Sequence, residues 1–384
     1  MPRALIWTLC AMSLLGCREE PEPGTPPGAA STSASSPAPP PPAPLSGEVV
    51  EIPAGSFTAG SRPGEPGRDP SLEPRPFSVE LGGFSIDRLP YPNDPTQPVR
   101  TGVTREEAAK LCGQAGARLC TELEWERACQ GDDGRRFPTG PSWDPSCAER
   151  PQACAGAYGV LGLGAAMQEW TASTTGPEAA PLGVLRGARK DAEASAHRCA
   201  ARTSAATGAA SNDVGFRCCR GAPNAATVPE PTLGAAFQKL ELKGDRLTAL
   251  LKQDARTQAL ANDLVFFSEP EAANTVVSRG PGDRKGFLFT VQALRWNPAP
   301  GVDYLMVTAR SGKDSSFVLA YRLIQEDEYE LAASYLMRRE PGPVAFAYSE
   351  SIRPRLHFSS CWGCPGETGK VLYRKPDEVV ILQP

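Results

Sequence analysis

The spacing of apolar and polar residues predicts two short helices in the first third of the chain. Thr104 with Glu107, and Thr121 with Glu124, each match the capping-box pattern, in which a hydroxyl and a carboxylate bind backbone N–H groups at a helix start. Apolar residues at helical spacing follow the first pair. We therefore expect a helix after each threonine, with residues 113–119 joining the two. Three cysteines lie in this unit: Cys112, Cys120 and Cys129.

Apolar runs bounded by Gly, Pro and Asp predict strands on both sides of the helix pair. Residues 49–61 form a strand-like run broken by Pro and Gly, and residues 74–87 alternate as a half-buried strand would. Residues 130–158 are rich in Gly, Pro and Asp, which predicts irregular loops. Residues 235–260 predict one or two amphipathic helices with a break near Gly244. Six further runs predict a small antiparallel sheet or barrel: residues 287–291, 304–307, 317–321, 344–348, 356–358 and 371–373.

The N-terminal residues carry no pattern of a folded core. Residues 1–16 combine Arg3, a short apolar run and small residues, as an export signal does. Their end, Leu-Leu-Gly-Cys, resembles a bacterial lipobox with Cys17 as the lipidated residue; the alternative is an ordinary cleaved signal with a chance cysteine. Residues 17–46, which are rich in Pro, Ala and Ser, predict a stalk behind the lipid. We expect an exported protein of the cell envelope, anchored in the lipid bilayer of the outer membrane by acyl chains.

Composition excludes one class of partner and indicates the redox state of the cysteines. A net charge of −4, with no Lys/Arg cluster interleaved with aromatic residues, excludes nucleic acid as a partner. Of twelve cysteines, Cys10 is lost with the signal and Cys17 carries lipid, so ten remain in an exported chain, where disulfides form. The two histidines, His197 and His357, each stand alone among polar neighbours. This disfavours zinc and predicts surface or hydrogen-bonded histidines.

Six short segments between residues 47 and 222 occur in a particular order. They are Ile-Pro-Ala-Gly-Ser-Phe, Phe-Ser-Ile-Asp, Arg-Leu-Cys-Thr-Glu-Leu-Glu-Trp-Glu-Arg-Ala-Cys, Glu-Trp-Thr, Arg-Cys-Ala-Ala-Arg and Gly-Phe-Arg-Cys. In this order the segments resemble the formylglycine-generating enzyme (sulfatase-modifying factor) family. The resemblance implies an α+β domain with disulfides and the irregular, C-type-lectin-like fold of that family. After a Pro/Ala linker at residues 223–230, residues 231–384 are expected to form a small β-rich antiparallel domain of unknown family.

The resemblance also implies where catalysis would occur. In formylglycine-generating enzymes, two cysteines between the Glu-Trp and Arg-Cys-Ala-Ala-Arg segments bind copper(I) as thiolates and oxidise a substrate cysteine with oxygen. No cysteine lies between Cys154 and Cys199 in this chain, and an ungapped match places Arg189 and Ala194 at the two positions. Copper(I) prefers soft thiolate ligands, which neither residue supplies. We therefore expect no copper and no catalytic residue of the family type.

Calcium is the one candidate cofactor that the resemblance leaves. The ligands of the family come from the segment that corresponds to residues 162–170, but here Gly162 stands where a carboxylate or amide is usual, and only Glu169 and Trp170 match. Calcium requires six to eight oxygen ligands. Glu169 is therefore either a calcium ligand or, with equal weight, a residue of a helix cap or ion pair.

The resemblance implies the structural disulfides Cys112–Cys218 and Cys129–Cys199. Two further cysteines are additional to the family pattern and occur together, which predicts a third bridge, Cys120–Cys219. The alternative for Cys120 is a free, reactive thiol.

Two close cysteine pairs are expected to staple loops. Cys147 and Cys154 lie in the irregular segment, where a disulfide would hold a loop that is costly to order. Cys361 and Cys364 form a Cys-x-x-Cys motif between two predicted strands, which favours a stapled hairpin loop. The alternative is a thiol–disulfide exchange site, which usually lies at the start of a helix.

These observations lead to one main hypothesis and two rivals. The main hypothesis is a non-catalytic binding or assembly module for an unknown protein, peptide or glycan, in which Arg189 and Lys190 make a groove cationic; alternatively, both side chains simply face water. The first rival is a formylglycine-generating or related oxidoreductase acting on sulfatase cysteines with thiols from Cys120 or from Cys361 and Cys364. The second rival is a periplasmic thiol–disulfide protein.

Overall fold

The computed structural model describes residues 47–231, 235–240, 242–265, 288–290, 293–312, 315–338, 344–349, 355–360 and 368–383. All of these lie in one compact unit, residues 44–384. The predicted signal, Cys17 and the stalk lie outside the described residues, as do Cys361 and Cys364. No helix within the described ranges is both long enough and apolar enough to cross a membrane.

The first region, residues 47–222, consists of short elements joined by long loops. Its helices are α1 Arg105–Gln114, α2 Glu122–Gln130 and α3 Ser146–Glu149. Its strands are β1 Val49–Ile52, β2 Gly55–Ala59, β3 Phe77–Leu81, β4 Phe84–Asp87, β5 Arg118–Leu119, β6 Gln168–Thr175, β7 Leu182–Gly187, β8 Arg202–Ala206, β9 Val214–Phe216 and β10 Cys218–Arg220. They form sheets in the orders β1-β4-β10-β5 and β8-β7-β6-β9, and a β2-β3 pair.

Both helix starts that the sequence predicted are present. Thr104 caps α1 and Thr121 caps α2, and each forms the full reciprocal capping box with the glutamate three residues later. The predicted strand at residues 74–87 is instead two strands, β3 and β4, in different sheets. The change of sheet occurs at Gly82 and Gly83, where no side chain restricts the turn of the backbone.

Four disulfides tie these elements together. The pairs are Cys112–Cys218, Cys120–Cys219, Cys129–Cys199 and Cys147–Cys154, which are the pairs expected from the sequence and the resemblance. The neighbours Cys218 and Cys219 on β10 point to opposite faces of the strand and bond to different partners. Strand β10 is therefore linked both to α1 and to Cys120, which directly precedes the N-cap residue of α2.

The apolar core of the first region has two parts. One cluster surrounds Trp125 of α2 and strands β1 to β4, and the other surrounds Trp170 and Phe216 beneath α1. Val228, in the segment predicted as a linker, is buried in the first cluster. Residues 223–230 thus pack on the first region and also reach Glu124 through Asn224, whose Nδ2 donates to that carboxylate at 2.8 Å.

The second region has longer strands and one described α-helix, α4 Gly244–Gln253. Its strands are β11 Phe237–Leu240, β12 Leu264–Val265, β13 Leu288–Thr290, β14 Ala293–Ala299, β15 Val302–Ser311, β16 Ser315–Gln325, β17 Glu328–Arg338, β18 Ala345–Ser349, β19 Arg355–Ser359, β20 Gly369–Arg374 and β21 Glu378–Leu382. They form two antiparallel sheets with the orders β11-β14-β15-β16-β17 and β13-β18-β19-β20-β21, and β12 pairs with β15.

One helix prediction in this region is wrong. Residues 237–240, which were expected to be helical, form β11 and pair with β14, with Phe237 opposite Trp296. Phe237 is buried in the apolar cluster between the sheets, so tertiary packing decides its conformation. The predicted break near Gly244 is the position at which α4 begins.

Candidate functional site

A small cavity of about 220 Å³ is lined by Arg189, which stands at one of the two positions where the resemblance places a catalytic thiolate. Five of its thirteen lining residues are small residues of the segment 187–201, among them Gly187, Ala188, Ala192 and Ala196. Its polar rim consists of Asp69, Gln168, Arg189 and Thr203. The amide Nε2 of Gln168 donates to Thr203 Oγ1 at 2.7 Å. The cavity therefore combines an apolar floor with a polar, hydrogen-bonding edge, as binding pockets commonly do.

Buried charges beside the cavity come from α2, all nine residues of which are buried. Arg202 of β8 donates Nε and Nη2 to the two oxygens of Glu122 at 2.7 and 3.0 Å. Arg186 of β7 donates Nη2 to Glu122 and to Glu126, both at 2.9 Å. A buried carboxylate requires such a partner, because desolvation of an isolated charge is costly. The glutamates of α2 thus fix the two strands that carry the cavity wall.

A second buried pair holds the opposite wall. Arg198 donates Nη1 and Nη2 to the two oxygens of Glu73 at 2.8 and 2.9 Å, and Nη2 also donates to the carbonyl of Gly67 at 2.7 Å. Burial acts to lower the pKa of Arg198, but the hydrogen bond and charge of Glu73 outweigh it and raise that pKa. The guanidinium therefore stays charged and serves as a structural anchor rather than as an acid or base.

A third buried pair involves Glu169, one of the predicted site residues. Its Oε2 accepts from Arg217 Nε at 2.7 Å and from Trp125 Nε1 at 2.8 Å, and its Oε1 accepts from Arg217 Nη2 at 2.8 Å. The side chains of Glu169 and Arg217 are each 1% exposed. Glu169 thus joins β6 to the end of β9 and to the core tryptophan.

The cavity offers no activated nucleophile. Its described lining contains no cysteine, histidine or lysine, and the hydroxyl of Thr203 already accepts a hydrogen bond from Gln168. General-base activation needs a basic side chain within hydrogen-bonding distance of the nucleophile. The carboxylate of Glu73 is paired with Arg198. The other lining carboxylate, Asp69, accepts hydrogen bonds from the backbone N–H and the hydroxyl of Ser71.

Comparison with known families identifies the domain. Residues 87–222 match the family model described as sulfatase-modifying factor enzyme 1-like domain. This segment is a sulfatase-modifying-factor-like domain. The matched range contains α1, α2, the cavity wall at residues 187–203 and the three disulfides that fix them.

Individual proteins resemble parts of the chain. A stretch of 93 residues is 41% identical to hercynine oxygenase of Mycolicibacterium smegmatis and covers 20% of this chain and 22% of that protein, so the match spans about a fifth of the relative. Among solved structures, PvdO from Pseudomonas aeruginosa is 21% identical over 45% of this chain and 93% of its own, with a TM-score of 0.37. CarF is 15% identical over 45% and 97% of the two chains, with a TM-score of 0.34.

The residues of the sulfatase-modifying-factor-like domain do not fit a copper(I) centre. All eight cysteines in the described part of the chain are in disulfides. Arg189 and Ala194 stand where the resemblance places thiolates. An iron centre of the two-histidine, one-carboxylate kind needs two neighbouring histidines, whereas the one histidine in this domain, His197, is buried against Trp143 with its Nδ1 2.7 Å from the carbonyl of Gly164.

The domain also does not fit calcium at Glu169. Both carboxylate oxygens accept hydrogen bonds, and a guanidinium lies 2.7 Å away, where it would repel a divalent cation. Of the two alternatives set out for Glu169, the geometry therefore favours the ion pair. Gly162 also supplies no side-chain oxygen where the resemblance implies a further calcium ligand.

The expected cationic floor needs correction. Arg189 lies on the rim with its side chain 53% exposed, and it faces Asp191 at 3.4 Å and Asp213 at 3.7 Å. Two carboxylates therefore offset its charge. Lys190 is exposed but does not contribute to the lining of the cavity. The structure thus brings one of the two predicted cations to the site and compensates it there.

Sequence reasoning missed the wall formed by residues 67–73. Glu73 binds Arg198, which is 125 positions away along the chain, so no local pattern could connect them. A signal was available in the arginines of the Arg-Cys-Ala-Ala-Arg segment, since two arginines next to a buried cysteine require buried carboxylate partners.

Proposed function

We propose that the protein is an exported, lipid-anchored envelope protein whose sulfatase-modifying-factor-like domain is a non-catalytic binding or assembly module. The observation that carries the proposal is the cavity lined by Arg189, which stands where the resemblance places one of the two family thiolates. It is lined by small residues and paired charges, and every described cysteine is oxidised. A preserved scaffold with an altered site is a common way for function to change within a fold.

The cavity favours a small, neutral, hydrogen-bonding group of a peptide or glycan over an acidic one. Gln168 and Thr203 supply amide and hydroxyl groups at the rim, while Asp191 and Asp213 offset Arg189. A volume of about 220 Å³ suits one or two side chains or one sugar ring rather than a folded surface. The partner would thus insert a single group and make its remaining contacts outside.

The proposal and its oxidase rival differ in thiols and in copper. We expect the purified mature protein, denatured without reductant, to show no free thiol, and the copper-treated protein to leave a sulfatase-type cysteine peptide unchanged by mass. The matched variant carries Arg189→Cys with Ala194→Cys, which places two thiols at the family positions. We expect this variant, unlike the native protein, to retain copper(I) after desalting. Formylglycine formed by the native protein would overturn the proposal.

Membrane anchoring has a separate test. Cys17→Ser should move the protein from the membrane fraction to the soluble fraction, because several acyl chains on one cysteine hold a protein firmly. Cys10→Ser is the matched control, since it changes a cysteine inside the predicted signal and should leave the protein in the membrane. A Cys17→Ser protein that stays in membranes would exclude the lipid anchor while leaving the binding proposal intact.

A further inference from the structure

One loop of the first region lines three cavities. Loop 60–76 joins β2 to β3. Its residues 67–73 form a wall of the small cavity. Residues 62–65 line a second cavity of about 520 Å³, and residues 74–76 line a third of about 460 Å³. The shape of each cavity therefore depends on where this loop is held.

The loop contains no helix or strand, and its ends are joined by one backbone hydrogen bond from Ser61 N–H to the carbonyl of Pro74, so side-chain contacts contribute much of its fixation. On one side it is held by the first region: Arg198 binds Glu73 and the carbonyl of Gly67, and Arg202 Nη1 donates to the carbonyl of Leu72 at 3.0 Å. Ordering a loop of this length, whose internal backbone hydrogen bonds form only turns, costs backbone entropy of about 1 to 2 kcal/mol per residue. Several buried contacts are needed to offset that cost.

On its other side the loop is held by the second region through Asp377. The carboxylate Oδ2 accepts from the backbone N–H of Gly64 at 2.7 Å and lies 3.6 Å from Arg68 Nη1. Tyr304 donates its hydroxyl to Oδ1 at 3.1 Å, and Arg322 donates Nη2 to the carbonyl of Asp377 at 2.8 Å. The side chain of Asp377 is 5% exposed and that of Arg68 is fully buried.

Arg68 transmits this contact to the cavity wall. Its Nη2 donates to the carbonyl of Glu73 at 3.0 Å, and its Nε donates to Ser61 Oγ at 3.1 Å. Glu73 in turn accepts the backbone N–H of Asp69, which lies on the cavity rim. A continuous series of buried polar contacts thus runs from Asp377, between β20 and β21, to the small cavity.

Two further side-chain contacts with the second region involve residues near the ends of the loop, Arg62 and Arg75. Arg75 donates to Asp303 of β15, which also accepts from Arg295 at 2.9 Å. Arg62 Nη2 donates to Glu330 of β17 at 3.2 Å, with both side chains about half exposed. The exposed pair contributes little, so the buried contacts at Asp377 and Asp303 carry most of the restraint.

We infer that the second region serves to position loop 60–76, with Asp377 as the positioning residue for the small cavity. The inference rests on the proposed function in treating the cavity as a binding site, but the position of the loop can be measured without a ligand. Asp377 acts because it neutralises a buried guanidinium and caps a backbone N–H of the loop at once. Without its charge, Arg68 would remain buried with only Glu73, which is already paired with Arg198, to offset it, and the loop would open to solvate the guanidinium.

The test is hydrogen–deuterium exchange of the full-length protein. Asp377→Asn should speed exchange in loop 60–76 by about tenfold, because a buried charge loses its partner and local opening becomes easier. Exchange in α1 and β16 should stay within about twofold of the native value by the same principle. The matched control is Thr257→Val, which removes a different buried hydrogen bond of the second region, to the carbonyl of Leu251 at 2.9 Å, without touching the loop.

Three outcomes decide the matter. Selective acceleration in loop 60–76 by Asp377→Asn but not by Thr257→Val supports the inference. Equal patterns for the two variants, or no change in the loop, overturn it. If Asp377→Asn does not fold, Tyr304→Phe removes one hydrogen bond from the same carboxylate and should speed loop exchange about threefold. Asp377→Glu keeps the charge and should restore most of the protection. These results stand whether or not the cavity binds a ligand.

Discussion

The two regions of the protein are stabilised in different ways. In residues 47–222 the longest strand has eight residues, and four disulfides and buried arginine–carboxylate pairs hold the loops. In the second region β15, β16 and β17 have ten, eleven and eleven residues and pair over most of their length around apolar clusters. The described part of this region contains no cysteine. Where backbone pairing is sparse, covalent bonds and buried charges take its place.

This difference affects function as well as stability. A site built from long loops can change its chemistry when a few residues change, because its framework depends on anchors that lie outside the site. Here the anchors Arg186, Arg198 and Arg202 are kept beside the cavity while the thiolates are absent. The second region holds loop 60–76 through Asp377 and Asp303.

The largest effect is expected from removing a buried charge in the first region. Glu169→Gln leaves the guanidinium of Arg217, which is 1% exposed, without its counter-charge. Breaking such a pair costs about 3 to 5 kcal/mol of unfolding free energy. Urea denaturation followed by tryptophan fluorescence measures the loss. The control is Glu48→Gln, whose pair with Arg88 is partly exposed and worth no more than about 1 kcal/mol.

Equal midpoints for the two variants would contradict the view that buried charge pairs stabilise this region. The same experiment tests calcium binding at Glu169, because both oxygens of this carboxylate accept hydrogen bonds from Arg217. We expect the native midpoint to be the same in excess calcium and in chelator. A shift with calcium that Glu169→Gln abolishes would return this residue to a metal site.

The next effect is expected from the long-range disulfides. Cys129 and Cys199 are 70 positions apart, so opening this bridge by the double Cys→Ala change should cost about 4 kcal/mol through unfolded-chain entropy. The control is the double Cys→Ala change at Cys147 and Cys154, which are 7 positions apart and should cost about 2 kcal/mol. Thermal unfolding measures both losses. A smaller loss for the long-range pair than for the short one would rule out the entropic explanation.

The parts of the fold that sequence could predict are those that local chemistry decides. The capping boxes at Thr104 and Thr121 need only residues three positions apart, and both are present. The helix prediction for residues 237–240 failed because their apolar spacing suits a helix. Instead they pair with β14, and Phe237 is buried there. The choice between these conformations depends on a strand about 55 positions away, which no local propensity records.

The same division applies to the site. The absence of thiolates between Cys154 and Cys199 could be seen in the sequence, because it depends on composition alone. The compensation of Arg189 by Asp213 could not, since a loop brings together residues that are 24 positions apart. The position of loop 60–76 could likewise not be predicted, because its hydrogen-bond partners lie far away along the chain, in both regions.

A moderate, pH-dependent effect is expected at the contact between the regions. Burial acts to raise the pKa of Asp303, but hydrogen bonds from Arg295 and Arg75 outweigh it and hold that pKa below its ordinary value of 3.8. The unfolded chain therefore binds this proton more tightly than the folded chain. The stability that Asp303 contributes is fully present above about pH 4 and is lost as the pH falls through the lowered folded-state pKa.

Asp303→Asn should lower the unfolding free energy at pH 7 by about 1.5 to 3 kcal/mol, the usual cost of losing hydrogen bonds to a charged group. Its melting temperature should also fall less steeply than that of the native protein as the pH drops below about 4. The exposed Asp263 supplies the control variant Asp263→Asn, which should keep the native pH profile. If the melting temperature of Asp303→Asn fell with acid as steeply as that of the native protein, other carboxylates would govern acid unfolding.

The smallest effect is expected at the cavity rim. The side chain of Arg189 is 53% exposed, and those of its partners Asp191 and Asp213 are 68% and 58% exposed. Water and salt screen such pairs, so Arg189→Ala should change the unfolding free energy by less than about 1 kcal/mol. We also expect polyglutamate, used as an acidic probe, to bind neither the native protein nor Arg189→Ala. Removing both aspartates should uncover the guanidinium and create weak binding that salt abolishes. Salt-sensitive binding of polyglutamate by the native protein, lost in Arg189→Ala, would restore the cationic groove that the sequence suggested and would make an acidic segment the preferred partner.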